Sequence, residues 1–215
     1  MTVLPLAAEG EAAGLAAFLQ RLLKYDRAAA VRLQAAGDAL AVFGRAPALD
    51  VVVVRGVALA GPAELDRTVS AGELLETVEP AGLTVPAAVT GPAWAGLLPP
   101  RAGWQQVEGL PESGQLGLAV RAAVAEFKAR VEELSEDKRT RAELDRIGAD
   151  IWGRTLGSTP LPLRAAHAAY VFGLLRPEAP AALLAAGTWL RLRTPYGSVA
   201  LRRAGGLPGL GVTPV

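Results

Sequence analysis

The stretch from Val31 to Leu59 constrains the fold of this chain more than any other, because its hydrophobic pattern has a period of two. Apolar and polar residues alternate from Val31, and the alternation resumes at Leu40 after Ala36-Gly37-Asp38. Such alternation places one set of side chains on each face of a β-strand. The four valines Val51–Val54 are apolar on both faces, which is typical of a covered central strand. We therefore predict a three-strand antiparallel meander with a tight turn at Ala36-Gly37-Asp38.

Helices are predicted on both sides of this meander. Apolar residues recur at the spacing of one helix face over Glu9–Tyr25, which predicts a first helix that covers the sheet. Ser70 followed by Glu73 forms a capping-box pattern and predicts a short helix over Ala71–Val78. The first half of the chain is therefore expected to combine a sheet with covering helices.

The composition shifts near Gly109-Leu110-Pro111, and we predict a boundary there. Residues 1–110 would form an α+β sheet domain, and residues 111–215 a helical subdomain with a C-terminal β-hairpin. Just beyond the boundary, five apolar residues follow the spacing of a helical seam: Val120, Val124, Phe127, Val131 and Leu134. The seam is shorter than a coiled coil requires, so it predicts packing against a neighbouring helix, with a homodimer contact as the alternative.

The remaining elements follow from turn and cap residues. Ser135 is suited to begin a second helix and Pro162 to the first turn of a third. A short Ala/Leu helix is predicted over Ala179–Ala186, followed by a hairpin over Trp189–Arg203 that turns at Thr194-Pro195-Tyr196-Gly197. The predicted fold class is α+β: a mainly antiparallel sheet with a covering helix, then a helical subdomain ending in a hairpin, a layout compatible with a winged helix.

Composition excludes several classes of function. The chain has no Cys, so disulfides, thiolate nucleophiles and Cys-ligated metals are excluded. Its single His excludes His-rich metal sites. The N-terminus lacks the pattern of a secretory signal, and no apolar run has the length of a membrane span. We expect a cytoplasmic protein with no membrane partner, no metal and no cofactor.

His167 is the residue that any catalytic triad would have to use. It lies on the apolar stripe of the predicted third helix, which favours a hydrogen-bonded packing role over catalysis. The Gly-rich segment Gly205–Gly211 lacks the Lys and Ser/Thr of a phosphate loop and is expected to be irregular. An enzyme of unknown class is therefore the third hypothesis, behind two binding functions.

Basic residues are concentrated in the second half of the chain. Residues 1–110 carry a net charge of −3, and residues 111–215 carry +4. The predicted hairpin holds Arg191, Arg193, Tyr196, Arg202 and Arg203. This set is the candidate surface for an acidic partner or for nucleic acid. A structural alternative is that these arginines pair with the acidic first half.

A DNA-binding regulator of winged-helix type would use the hairpin arginines on phosphate. The short helix predicted before the hairpin, Ala179–Ala186, offers no polar side chain to read base edges. Such binding would consist mainly of phosphate contacts and would weaken with salt.

A second candidate surface is the loop GPAWAGLLPPRAGW, residues 91–104. Its prolines, glycines and two tryptophans predict a rigid irregular segment. The candidate interaction residues are Trp94, Arg101 and Trp104, and the structural alternative is that the tryptophans cover the core of the sheet.

Three segments together resemble a family of uncharacterised actinobacterial proteins. They are Lys24-Tyr25-Asp26-Arg27 with Val31-Arg32-Leu33-Gln34, the loop GPAWAGLLPPRAGW, and the hairpin sequence TPYGSVALRR. The resemblance implies a bacterial cytoplasmic setting and brings no activity or site residues.

The first functional hypothesis is a non-enzymatic interaction or scaffold protein that binds a protein partner or self-associates as a homodimer. Its contact surface would be the loop or the helices over residues 116–151, and its hairpin would bind an acidic partner. The second hypothesis is the DNA-binding regulator.

Overall fold

The computed structural model describes residues 2–90, 94 and 98–203. The strands are β1 (Thr2–Pro5), β2 (Ala30–Ala46), β3 (Val51–Ser70), β4 (Val78–Glu79), β5 (Gly82–Val85), β6 (Gln105–Val107), β7 (Ala182–Ala186), β8 (Trp189–Thr194) and β9 (Gly197–Arg202). The helices are α1 (Glu9–Tyr25), α2 (Ala71–Glu76), α3 (Ser113–Glu132), α4 (Arg141–Trp152) and α5 (Leu163–Val171). The predicted irregular segment Gly205–Gly211 lies outside the described residues.

Two antiparallel sheets organise these elements. The larger sheet has six strands in the order β2-β3-β9-β8-β7-β6, and the smaller has the order β1-β5-β4. An isolated bridge between Leu6 and Leu59 connects the two. Strand β3 pairs with β9, so hydrogen bonds of the larger sheet join the two halves of the chain. The prediction of an α+β fold with antiparallel sheets is confirmed.

The predicted meander is a single long hairpin. Strand β2 continues through Ala36-Gly37-Asp38, so the tight turn predicted there is wrong. Gly37 adopts a φ of 62°, and the register shifts between Gly37 and Ala39, which produces a bulge instead of a reversal. The chain reverses later, at a 3-10 turn over Pro47–Leu49 that is followed by Asp50 in the left-handed region.

Helix α1 has the bounds predicted from its periodicity. The apolar stripe packs into the core, with five residues buried: Ala12, Leu15, Phe18, Leu19 and Leu22. Helix α2 begins as its cap pattern predicts, because the Ser70 hydroxyl accepts a hydrogen bond from the Glu73 backbone N–H at 3.4 Å. In the described part of the chain, no helix is both long and apolar enough to cross a membrane.

The second half contains three helices that pack on one another. Thr140, rather than Ser135, caps α4, since its hydroxyl accepts from the Glu143 N–H at 3.3 Å. The predicted seam on α3 packs within the chain: Phe127 lies 6.3 Å from Trp152 of α4, measured between ring centroids. Pro162 stands at the N-cap of α5.

Two features of the predicted second half differ from the structure. Ala182–Ala186 forms strand β7 where a short helix was predicted, because pairing with β6 and β8 outweighs the helix propensity of Ala and Leu. The predicted hairpin is present as β8 and β9 with the predicted turn. It is internal to the six-stranded sheet, flanked by β7 and β3, so it does not have the protruding layout of a wing.

Strand β3 shows which side chains lie on each face of the larger sheet. Val51 and Val53 join the main core under the helices, whereas Val52 and Val54 point to the opposite face. All four are buried, as predicted for a strand that is apolar on both faces. We call the face that points away from the helices the outer face. The two faces present separate candidate sites.

Candidate outer-face groove and helix-side cleft

The outer face carries a row of buried apolar residues outside the main core. Alternation along the strands places them side by side, and the row consists of Val52, Val54, Leu184, Ala186, Trp189 and Ala200. The register aligns Val52 with Ala200, and Ala200 with Arg191. The outer face therefore carries a largely buried apolar row edged by arginines.

A groove of about 160 Å³ opens beside this row. Val52 and Trp189 contribute apolar side chains, and Arg45, Arg202 and Asp50 contribute charge. The Arg202 guanidinium carbon lies 5.2 Å from the centroid of the Trp189 ring, within the range of a cation–π contact. The groove thus combines an aromatic surface with two cations and one carboxylate.

The five predicted hairpin residues are divided between the two faces of the sheet. Arg191, Arg193 and Arg202 follow the outer face, in register with Ala200, Ser198 and Trp189, respectively, on the paired strands. Arg203 follows the end of β9 and is exposed. Tyr196 instead lies on the helix side, where it lines a cleft. The hairpin therefore does not form one continuous basic patch.

Arg191 is the most constrained of these arginines. Its Nε donates a hydrogen bond to the Ser198 hydroxyl at 2.9 Å, and its guanidinium lies 5.6 Å from the centroid of the Trp104 ring. Burial, followed by the charge of Arg193, lowers the pKa of Arg191, although a guanidinium stays protonated in proteins. The contact with Trp104 joins the predicted loop to the predicted hairpin.

The predicted loop residues have three different surroundings. Residues 91–93 and 95–97 of the loop lie outside the described residues. Trp94 is buried. Trp104 is half-buried and its indole N–H donates to the Pro100 carbonyl at 2.9 Å. Arg101 is exposed and lines a shallow cleft with Glu64 and Asp66.

Sequence reasoning missed a second site, the helix-side cleft. It has a volume of about 380 Å³ and lies where α1 meets the segment after α5 and the hairpin turn. Arg21, Arg55 and Arg176 line it together with Tyr196. These arginines are far apart in sequence and share no motif, so no local signal predicted that they would meet.

His167 packs face to face on Trp152, with ring centroids 4.3 Å apart and an angle of 10° between the rings. Burial lowers the pKa of His167, because desolvation disfavours the charged imidazolium. Its Nδ1 is buried and has no hydrogen-bond partner among the residues that the structure describes. The structure therefore gives His167 the predicted packing position, whereas its Nδ1 does not make a hydrogen bond to the described residues.

The helices do not form a basic surface. Together α1 to α5 contain eight basic and nine acidic residues, a net charge of −1. Some of these charges are paired: Arg130 of α3 contacts Glu126 and Asp150, and Arg154, which follows α4, donates to Glu126 at 2.6 and 2.7 Å. The two guanidinium groups hold the pKa values of Glu126 and Asp150 below their usual range. This charge balance argues against binding of an extended nucleic-acid backbone along the helices.

Solved structures of bacterial sliding clamps have a similar fold. The DNA polymerase sliding clamp of Pseudomonas aeruginosa, solved with a ligand, gives a TM-score of 0.53 at 13% identity and covers 96% of this chain and 66% of its own. The Helicobacter pylori beta clamp matches in complexes with 5-chloroisatin (TM-score 0.50, 10% identity, 97% and 65% covered) and with carprofen (0.51, 11%, 100% and 67%). At this identity the likeness concerns the fold alone, and the chain spans about two thirds of the length of these clamps.

Sequence comparison leads to two domain families. No curated protein matches the chain. A family described as Domain of unknown function (DUF8010) matches residues 1–96. A second, described as Domain of unknown function (DUF8185), matches residues 99–206, which is half of the chain. The chain therefore belongs to the DUF8185 family.

Proposed function

We propose that the chain is a non-enzymatic protein-interaction protein that binds an acidic peptide segment of a partner in the outer-face groove. The observation that carries the proposal is the combination of Trp189 with Arg45 and Arg202 around one groove. The fold likeness to sliding clamps supports a binding role, since all three of the clamp structures described above were solved with a ligand.

The residues that line the groove indicate which ligand would bind there. A volume of about 160 Å³ is below the size of a typical small-molecule pocket, but it accommodates a single large side chain. Trp189 and Val52 offer apolar contact to such an anchor, and aromatic and arginine residues are enriched where binding energy concentrates. Two arginines against Asp50 leave a net positive charge, which complements Asp or Glu beside the anchor.

Selection of peptides from a random displayed library tests this proposal. We expect the selected peptides to contain acidic residues next to an aromatic or large aliphatic residue. The double variant Arg45→Glu with Arg202→Glu is expected to bind them at least about tenfold more weakly, because both cations face the groove. Arg141→Glu is the matched control, since Arg141 is exposed on α4.

Two outcomes would overturn the proposal. One is a set of selected peptides without acidic enrichment. The other is equal affinity for the wild type and the double variant, which would place the peptides elsewhere on the surface. Circular dichroism of each variant establishes that a loss of binding is not a loss of folding.

We further propose self-association through α3. Leu118 on this helix is 60% exposed, whereas Val124 of the predicted seam is half-buried within the chain. A large exposed apolar side chain is a natural contact point between two copies. Light scattering should show a dimer for the wild type and a monomer for Leu118→Glu, and a monomeric wild type would exclude the dimer.

DNA binding is the second candidate function. It is favoured by the likeness to a DNA polymerase sliding clamp and by the exposed Arg193 and Arg203, which would act from the sheet and not from a wing. The net charge of the helices opposes it. Titration with random duplex DNA at two salt concentrations tests it: binding must weaken with salt and fall in the Arg193→Ala, Arg203→Ala double variant.

The bacterial cytoplasmic setting stays a prediction.

A further inference from the structure

The helix-side cleft brings three arginines from three separate elements to one place. Arg21 comes from α1, Arg55 from β3 and Arg176 from the segment after α5. The cleft lies between the first and second halves of the chain, on the side of the sheet opposite to the outer-face groove. It is therefore a site of its own, independent of the proposed peptide site.

Arg55 is held in place by contacts on two sides. Its Nη1 donates to the Tyr196 carbonyl at 2.8 Å, and its Nη2 lies 3.5 Å from Glu11 Oε2. The guanidinium lies directly against Gly14 of α1, where a Cβ atom would collide with it. Its Nε is buried and has no hydrogen-bond partner in the described part of the chain. The side chain is thus fixed while one donor stays unused.

Arg21 is fixed in a similar way. Its Nη1 donates to the Phe172 carbonyl at 3.2 Å. Gly173 adopts a φ of 70°, and a Cβ built there would lie 2.7 Å from Arg21 Nη1. The absence of a side chain at Gly173 therefore allows the guanidinium to lie against the backbone.

Arg176 is the third arginine of the cleft, and it is exposed. Its guanidinium carbon lies 3.9 Å from the centroid of the Tyr196 ring, a close cation–π contact. Over the residues that the structure describes, neither Arg21 nor Arg176 has an ion-pair partner within 4 Å. Both cations keep donors that an incoming anion would engage.

The charge balance of the cleft indicates the class of its ligand. The cleft is lined by three guanidinium groups, and in the described part of the chain the carboxylate that pairs with one of them is that of Glu11, beside Arg55. Three positive charges and one negative charge leave a net charge close to +2. A phosphate monoester carries about −1.5 to −2 near neutral pH and has three strong acceptor oxygens. Arginine is the side chain best suited to bind such a group through paired N–H donors.

We propose that the helix-side cleft binds a small organic phosphate monoester, with its phosphate between Arg21, Arg55 and Arg176. Phe18, Phe172 and Tyr196 line the same cleft and provide apolar contact for the organic part. A volume of about 380 Å³ suits a small molecule, since ligand pockets generally begin near 300 Å³. Because the ligand contacts both halves of the chain, binding is expected to stabilise the fold.

Calorimetric titration with phenyl phosphate tests the proposal, with phenyl sulfate and inorganic phosphate as comparison ligands. Phenyl phosphate should bind most tightly. Phenyl sulfate has the same shape but only one negative charge, and inorganic phosphate lacks the ring. Arg176→Gln should weaken binding of phenyl phosphate by about tenfold, because it removes one charge-assisted contact from an exposed residue.

Arg141→Gln is the matched control, since it removes the same charge from an exposed position on α4 that does not line the cleft. Its affinity for phenyl phosphate should equal that of the wild type. Arg21→Gln provides a second, independent loss, and thermal unfolding without ligand shows whether either variant is folded. The proposal is overturned if phenyl phosphate does not bind at millimolar concentration, if phenyl sulfate binds equally well, or if Arg141→Gln weakens binding as much as Arg176→Gln.

Discussion

The two faces of the six-stranded sheet both combine arginines with aromatic rings, but they do so in different surroundings. On the helix side, Arg55 is 15% exposed and contacts α1 and the hairpin turn. On the outer face, Arg193 and Arg202 lie on an exposed strand surface. The position of an arginine within the two-residue period of its strand therefore decides whether it contacts both halves of the chain or lies on the outer face.

Strand β3 illustrates how side chains alternate between the two faces. Val53 and Arg55 point to the helices, and Val52 and Val54 point away from them. A slip of one residue in register would exchange the two sets. We therefore expect substitutions on the helix side to reduce stability and those on the outer face to reduce binding.

The largest expected difference in unfolding free energy between the two faces concerns two phenylalanines. Phe172 is 1% exposed and its ring lies 5.9 Å from that of Phe18, so Phe172→Ala should lower the free energy of unfolding by about 3–5 kcal/mol. Phe43 is half-buried on the outer face opposite Val54, so Phe43→Ala should cost about 1–2 kcal/mol. Urea unfolding of both variants measures the difference, and equal losses would contradict the distinction between the faces.

A smaller difference is expected for two arginines. Arg55→Met keeps most of the side-chain volume but removes the cation beside the buried Glu11 Oε2, and it should cost about 2 kcal/mol of unfolding free energy. Arg193→Met on the outer face should change it by less than about 0.5 kcal/mol. Thermal and urea unfolding provide the test. If Arg55→Met proved neutral, the helix-side contacts would not stabilise the junction.

The smallest expected effect is a pH dependence from His167. Its pKa is lowered in the folded state by burial, so the unfolded chain binds the proton more readily. The stability from the neutral imidazole is therefore complete above the usual pKa of 6.5 and is lost as the pH falls through the lower folded value. His167→Phe keeps the stack on Trp152 and should reduce the loss of stability between pH 7.5 and 5.5.

Urea unfolding at the two pH values measures this effect. Tyr170→Phe, an exposed change in the same helix, is the control and should keep the pH dependence of the wild type. An identical pH dependence in His167→Phe would show that other groups titrate in this range.

Local patterns predicted the elements whose signals lie within a few residues. Helix α1, the Ser70 cap and the β8–β9 hairpin all agree with the structure. The helix predicted in place of strand β7 was wrong. A run of Ala and Leu that is half or fully buried in a sheet has no polar alternation to distinguish it from a helix. The prediction of a turn at Gly37 was wrong because a glycine with positive φ occurs in β-bulges as well as in turns.

The candidate sites were predictable only in part. The sequence identified Arg191 and Trp104 but not their contact, and it grouped Tyr196 with arginines of the opposite face. Arg21, Arg55 and Arg176 carried no shared signal, since they come from elements whose packing brings them together.

The sequence by itself determined the periods of the strands and helices, the absence of cysteine thiols and of His-rich metal sites, and the uneven distribution of charge. Only the tertiary structure decided that β3 pairs with β9, and hence which arginines meet. The physical reason is that periodicity specifies which side chains share a face, whereas strand pairing uses backbone hydrogen bonds that nearly every residue can make. The partner of a strand is selected by the packing of the whole chain.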